Sequence, residues 1–297
     1  MLKCIYYNMT YRSMIYQYRT DPKIVFMMSN FYKYRARLMY YNNVLPKLET
    51  HLVDHCNLNC KGCSHFSPLS SPAFADFDQF SKDITRLSEL FKNITRFRIL
   101  GGEPLLHPEI IKFISFARMK LPASNIRIVT NGVLLPKMTP LFWETIADSK
   151  VSIDITVYPK VPVRVDTIKA IAKKYDINLT INYPTRFRKM PKNFNGDCNI
   201  KKSLDICRGN FYCPFLRDGR IYLCAHMTMF KLLENTFDIT PPPNVKPIEG
   251  INIHENITGK EIINYTLKPQ SCCGFCNWEK RIFFPWDISK RKEDEWI

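Results

Sequence analysis

Cys56, Cys60 and Cys63 stand in the run Cys56-Asn57-Leu58-Asn59-Cys60-Lys61-Gly62-Cys63, three thiols on one short loop. Three thiolates so placed can hold three irons of a cubane 4Fe–4S cluster and leave the fourth iron without a protein ligand. A structural zinc ion wants four protein ligands in a closed shell. Clusters that only carry electrons likewise usually take four cysteines. The spacing therefore points to a cluster with one iron open for chemistry. Farther along, Gly101-Gly102-Glu103-Pro104 offers two residues without side chains, whose backbone a ligand can approach closely, followed at once by a carboxylate.

Both motifs follow segments that read as strands. Leu48–Asp54 alternates in character and runs into Cys56, and Arg96–Leu100 alternates and runs into the Gly-Gly turn. Between them Phe80, Ile84, Leu87 and Phe91 fall at helical spacing, with Asp76 or Asp78 as the opening residue. Pro108 is placed to open the next helix, with Ile110, Ile111, Ile114 and Ala117 as its apolar stripe. Ile126–Val129, Val151–Val157 and Ile177–Ile181 read as further strands. Residues 138–147 and the stripe Ile168, Ile171, Ala172 and Tyr175 read as further helices. Such alternation builds parallel βαβ units, which place chemistry at the carboxyl ends of their strands. The pattern predicts an α/β fold, a partial (β/α)5-6 TIM-like barrel over residues 48–200, preceded by a basic, tyrosine-rich extension at 1–47. From 201 to 297 it predicts a small domain rich in cysteine and containing a β-hairpin at Asp218-Gly219-Arg220.

The C-x3-C-x2-C spacing together with Gly-Gly-Glu-Pro resembles the radical S-adenosylmethionine (radical SAM) enzymes. That resemblance implies an open iron that chelates the amino and carboxylate groups of S-adenosylmethionine. It further implies reductive cleavage to methionine and a 5′-deoxyadenosyl radical, which takes hydrogen from a substrate. Gly101, Gly102 and Glu103 are then expected at the cofactor, with Glu103 accepting from its ammonium group. Asp154 and Thr156, two apart on one strand face, are expected near the ribose, and Asn131 at the edge of the site. The resemblance singles out no residue for acid–base catalysis. One position departs from the family pattern: Gly62 stands where an aromatic residue commonly touches adenine, which leaves His65 or Phe66 as substitutes. His55, His65 and His107 otherwise read as hydrogen-bonding residues of the loops.

A second group of cysteines resembles the twitch, or truncated SPASM, module attached to many such barrels. Carried over position by position, Cys207, Cys224, Cys273 and Cys276 would hold an auxiliary 4Fe–4S cluster. Cys213 and Cys272 are then spare, although Cys213 could replace Cys207. Four cysteines in two pairs also describe a zinc ribbon. The closing run from Trp286 through Ser289-Lys290-Arg291 to Trp296 resembles a bacterial subgroup of radical SAM proteins.

Composition supports a globular chain: 297 residues, 45% hydrophobic and 13% aromatic. No apolar run reaches the ~18 residues needed to span a bilayer, and the first residues lack the pattern of a signal peptide. A cytoplasmic location is therefore expected, where reduced thiols favour metal binding over disulfides. The formal net charge is +16. Residues 1–48 hold eight Lys/Arg against Asp21, and 182–202 hold Arg186, Arg188, Lys189, Lys192, Lys201 and Lys202 against Asp197. Such stretches suit an anionic partner such as nucleic acid, a nucleotide sugar or a membrane surface, or else form a solvated face.

Three functions compete on these residues. The first is a radical SAM enzyme that oxidises a small molecule such as a carbohydrate, aided by the auxiliary cluster and an external electron donor such as flavodoxin or ferredoxin. The second is maturation of a ribosomal peptide by the same machinery. The third is a non-catalytic iron–sulfur or zinc protein that binds nucleic acid. Iron counting after anaerobic reconstitution separates them: two clusters give roughly eight irons per chain and one gives roughly four. A colourless, zinc-filled protein would support the third.

Overall fold

A computed structural model describes residues 34, 37, 38, 40–189, 191–210, 213–240 and 249–297. The basic, tyrosine-rich stretch thus lies largely outside the described residues. Four strand–helix steps and a fifth strand follow one another: β1 (Leu48–Val53), α1 (Phe77–Leu90), β2 (Arg96–Gly101), α2 (Ile110–Lys120), β3 (Asn125–Thr130), α3 (Pro140–Asp148), β4 (Ser152–Thr156), α4 (Val165–Lys174) and β5 (Leu179–Asn182). Then come β6 (Phe187–Lys189), α5 (Ile200–Asn210), β7 (Phe215–Arg217), β8 (Arg220–Tyr222), β9 (Ile251–Asn252) and β10 (Ile282–Phe284). The main sheet has the order β9-β8-β7-β1-β2-β3-β4-β5, parallel from β7 to β5, with β8 and β9 antiparallel at one edge. This is the α/β architecture of a partial TIM-like barrel.

The helices start where local chemistry starts them. The Asp76 carboxylate caps α1 by accepting from the Gln79 amide at 2.8 Å, and the Thr139 hydroxyl caps α3 ahead of Pro140. Pro108, by contrast, lies before α2, which begins at Ile110 with Glu109 as its cap. The apolar stripe of α2 is Ile110, Phe113, Ile114 and Ala117, all buried; Ile111 is only partly covered. Against these helices each strand sends alternate apolar residues, Phe97 and Ile99 from β2, Ile126 and Ile128 from β3, Ile153 and Ile155 from β4. The other strand face is polar. Glu49 on β1 is flanked by Lys47 at 2.8 Å and by Arg98, and Asp154 on β4 pairs with Arg127.

The hairpin turns at Asp218-Gly219, both with positive φ, and pairs Arg217 with Arg220. Its first strand is hydrogen-bonded in parallel to β1, so it extends the barrel sheet. Arg217 grips Asp54 with two bonds of 3.1 and 2.7 Å, fixing the hairpin to the chain that leaves β1. A second, smaller core gathers Phe66, Leu204, Phe230, Phe275 and Trp296 around Cys272 and Cys273. No helix among the described residues is long and apolar enough to cross a membrane.

Burial alone would raise the Glu49 carboxyl, but Lys47 and Arg98 outweigh it and hold the group at about 2. A carboxyl lowered on folding contributes stability that is present above its unfolded value and lost as pH falls toward the folded one. That contribution is about 3 kcal/mol. Denaturant titrations between roughly pH 6 and pH 2 should therefore show stability declining, and Glu49→Gln should flatten the decline. An identical pH profile in the variant would contradict this assignment.

Candidate active site

The loop that carries Cys56, Cys60 and Cys63 begins three residues after β1 ends. Each of its first two thiols already receives a donor. The Leu58 amide donates to Cys56 Sγ at 3.3 Å, and the Trp286 indole donates to Cys60 Sγ at 3.2 Å. The Asn131 side chain lies 3.7 Å from Cys56 Sγ and donates to Asn57 Oδ1 at 2.7 Å. The C-terminal segment clamps this loop from outside. Ser289 N donates to Asn59 O at 2.7 Å, Lys61 N to Asp287 O at 2.9 Å, and the Trp296 indole to Cys63 O at 3.0 Å. Both tryptophans of the closing run thus hold the cysteine loop. Gly62 has φ +61°, and a Cβ there would come within 3.0 Å of the Phe284 ring. The strap fills the space that a side chain at 62 would need.

The Gly-Gly turn follows β2 and lies against the same loop. Gly102 N donates to Val53 O at 2.7 Å and Glu103 N to His55 O at 3.1 Å. A Cβ on Gly102 would sit 1.9 Å from His55 O, so only glycine fits. Glu103 is fully buried. Its carboxylate accepts from Thr130 Oγ1 at 2.7 Å, the Asn131 amide at 2.9 Å and the Leu105 amide at 3.1 Å. Burial pushes this carboxyl up to about 7, against the pull of those donors. Its visible work is to fasten the end of β3 beneath the turn.

A cavity of about 780 Å³ opens on the concave face of the sheet. Cys56, Cys60, Cys63, Gly101, Gly102, Asn131 and Thr156 all line it. Asp154 does not; it faces Arg127 lower in the barrel. Beyond the cysteines the cavity is walled by Tyr158 and Phe187 and by Arg98, Arg186 and Arg188, which the motifs did not single out as site residues. For Arg186 and Arg188 the signal was the basic run 182–202, of which these two border the cavity while Lys201 and Lys202 do not. His65 also lines the cavity, tied to His51 at 2.8 Å. Phe66 instead lies in the second core. His55 accepts from the Ala73 amide at 3.2 Å, and the His107 ring is bonded to Ala75 O at 3.1 Å.

The thiol donor set suits a soft metal centre or an iron–sulfur cluster. Burial pushes the Cys56 thiol up to about 12 and the Cys60 thiol to about 11. Were a metal to bind here, such thiols would give up their protons, and the N–H donors already in place would bond to thiolate sulfur. The other cysteines collect around the second core: Cys207 on α5, Cys224 just after β8, and Cys273 and Cys276 on a tight turn. Burial raises the thiols of Cys207, Cys224 and Cys276. Each of these three also has other cysteines among its charged neighbours. Cys213 has Glu49, Lys47 and Arg98 as its largest charged neighbours, toward the barrel interior. Among the described residues no three His, Cys, Asp or Glu side chains converge closely enough to hold a single metal ion.

Residues 51–190, which carry both motifs and this cavity, match the radical SAM superfamily. That stretch, a little under half of the chain, is similar to the members of that superfamily. Among curated proteins, a GTP 3′,8-cyclase of Microcystis aeruginosa is 30% identical over 110 residues, covering 34% of this chain and 32% of the relative. A GTP 3′,8-cyclase of Clostridium acetobutylicum is 27% identical over 252 residues, covering 77% and 76%. The chain thus spans about a third of the first curated relative and about three quarters of the second. Among solved structures, BtrN in complex with AdoMet and 2-DOIA has a TM-score of 0.49 at 15% identity, covering 78% of this chain and 93% of that one.

The glycine contact yields a direct expectation for the radical SAM domain. Gly102→Ala should cost more than about 2 kcal/mol of stability, because the clash is with backbone and no side chain can yield. Chemical denaturation of the apoprotein measures it, and a loss below about 0.5 kcal/mol would contradict the packing described.

Proposed function

We propose that this radical SAM protein is an enzyme that takes a hydrogen atom from a small, anionic substrate, with an oxidised product. One observation carries the reading: three cysteine thiols, the Gly101–Gly102 backbone, Asn131 and Thr156 border one cavity that Arg98, Arg186 and Arg188 also line. Cys56, Cys60 and Cys63 would hold the 4Fe–4S cluster, which when bound supplies the electron for homolytic cleavage of S-adenosylmethionine. Gly101 and Gly102 present bare backbone to that ligand's methionine end, and Thr156 offers a hydroxyl to its sugar. Glu103 acts from below by keeping Thr130 and Asn131 in place. The arginines suit a phosphate- or carboxylate-bearing molecule, a class that also includes the GTP named for the cyclases. Tyr158 and Phe187 supply an apolar wall that limits water near the reacting atoms.

The reading extends to a second 4Fe–4S cluster on Cys207, Cys224, Cys273 and Cys276, which would accept the electron left on the substrate. An external flavodoxin- or ferredoxin-like donor would reduce the first cluster. These assignments rest on the family pattern and on the soft, buried donor set.

Anaerobically reconstituted protein with S-adenosylmethionine and dithionite should release 5′-deoxyadenosine, measured by liquid chromatography. Cys56→Ala should release none. Thr156→Ala should raise the S-adenosylmethionine concentration for half-maximal cleavage roughly tenfold, the effect of about one lost hydrogen bond. Cleavage that survives Cys56→Ala would remove the basis of the proposal.

A further inference from the structure

Lys192 is 5% exposed. Its ammonium donates to His226 Nδ1 at 3.2 Å and to Cys276 Sγ at 3.9 Å. Among the described residues no carboxylate pairs with it. Its backbone is also fixed, bridged to Cys276 and donating to Trp296 O at 3.2 Å. An ammonium buried without a counter-charge is costly, and a neutral imidazole and one thiol do not offset it. A centre ligated by four thiolates carries net negative charge and would supply the missing partner.

We propose that Lys192 is the built-in counter-cation of the auxiliary centre, donating to the Cys276 sulfur and raising the reduction potential of that centre. This rests on the reading of Cys207, Cys224, Cys273 and Cys276 as cluster ligands. Hydrogen bonds to ligand sulfur and nearby charge are among the levers that set such potentials. A positive charge favours the reduced, more anionic form, so the lysine makes the centre a better electron acceptor. That is the direction an oxidative role requires.

The test uses the full chain carrying Cys56→Ala, Cys60→Ala and Cys63→Ala, so that the auxiliary centre alone is observed. After anaerobic reconstitution this parent should hold roughly four irons, and a redox titration followed by electron paramagnetic resonance gives its midpoint. Adding Lys192→Met should disfavour reduction about tenfold, a negative shift of about 59 mV for a one-electron couple. Lys192→Arg should keep the parent's midpoint. Iron lost in the Met variant but retained, with the parent's midpoint, in the Arg variant would also support the charge role. An unmoved midpoint in the Met variant, an equal shift in both variants, or iron lost from both would overturn the proposal. A parent without iron would instead overturn the auxiliary-centre reading, and this inference with it.

Discussion

The site depends on backbone meeting backbone where β1 and β2 end. Gly102 N and Glu103 N donate across to Val53 O and His55 O, and nothing larger than hydrogen fits on Cα at position 102. This contact sets the distance between the cysteine loop and the Gly-Gly turn. Glu103 then extends it to β3, because one buried carboxylate collects donors from Thr130, Asn131 and Leu105. Three strand ends are thus joined by polar bonds in a region sealed from water, where an unmade bond is expensive. The fit is rigid by construction, which is what a cavity that must orient a reactive cofactor needs.

The C-terminal strap is the second half of this arrangement. Trp286 and Trp296 come from the far end of the chain, yet their indole N–H groups reach Cys60 Sγ and Cys63 O. Trp296 also belongs to the second core, together with Phe66 from just beyond the cysteine loop. Order in the loop therefore depends on closing contacts between residues more than 200 positions apart. Contacts of such sequence separation carry a large loop-closure cost in entropy.

The two faces of the sheet divide the work. Toward the helices, Phe97, Ile99, Ile128 and Ile153 make a dry apolar layer. Toward the interior, Glu49 with Lys47 and Arg98, and Asp154 with Arg127, fill the barrel with paired charge. Buried ion pairs add little net stability but are costly to break singly. They keep the barrel interior polar, with Glu49 and Arg98 bordering the same open volume as the cysteines.

Much of this was legible in the chain itself. The alternation of strand and helix, the α1 stripe Phe80-Ile84-Leu87, the Asp-Gly hairpin and the placement of two motifs after strands all follow from local periodicity and turn chemistry. The departure at Gly62 was visible too, but its reason was not: Phe284, distant in sequence, occupies the space. Glu103 read as a carboxylate at the turn, but its donors Thr130, Asn131 and Leu105 were not legible, since only assembled strands reveal which groups converge on a side chain. The run 182–202 read as one basic patch, whereas folding sends Arg186 and Arg188 into the cavity wall, buries Lys192 and leaves Lys202 outside. Residue type and spacing settle which chemistry is possible along a chain, because those are local properties. Which groups face one another, and which are cut off from water, depends on contacts between segments far apart, and those exist only once the chain has folded.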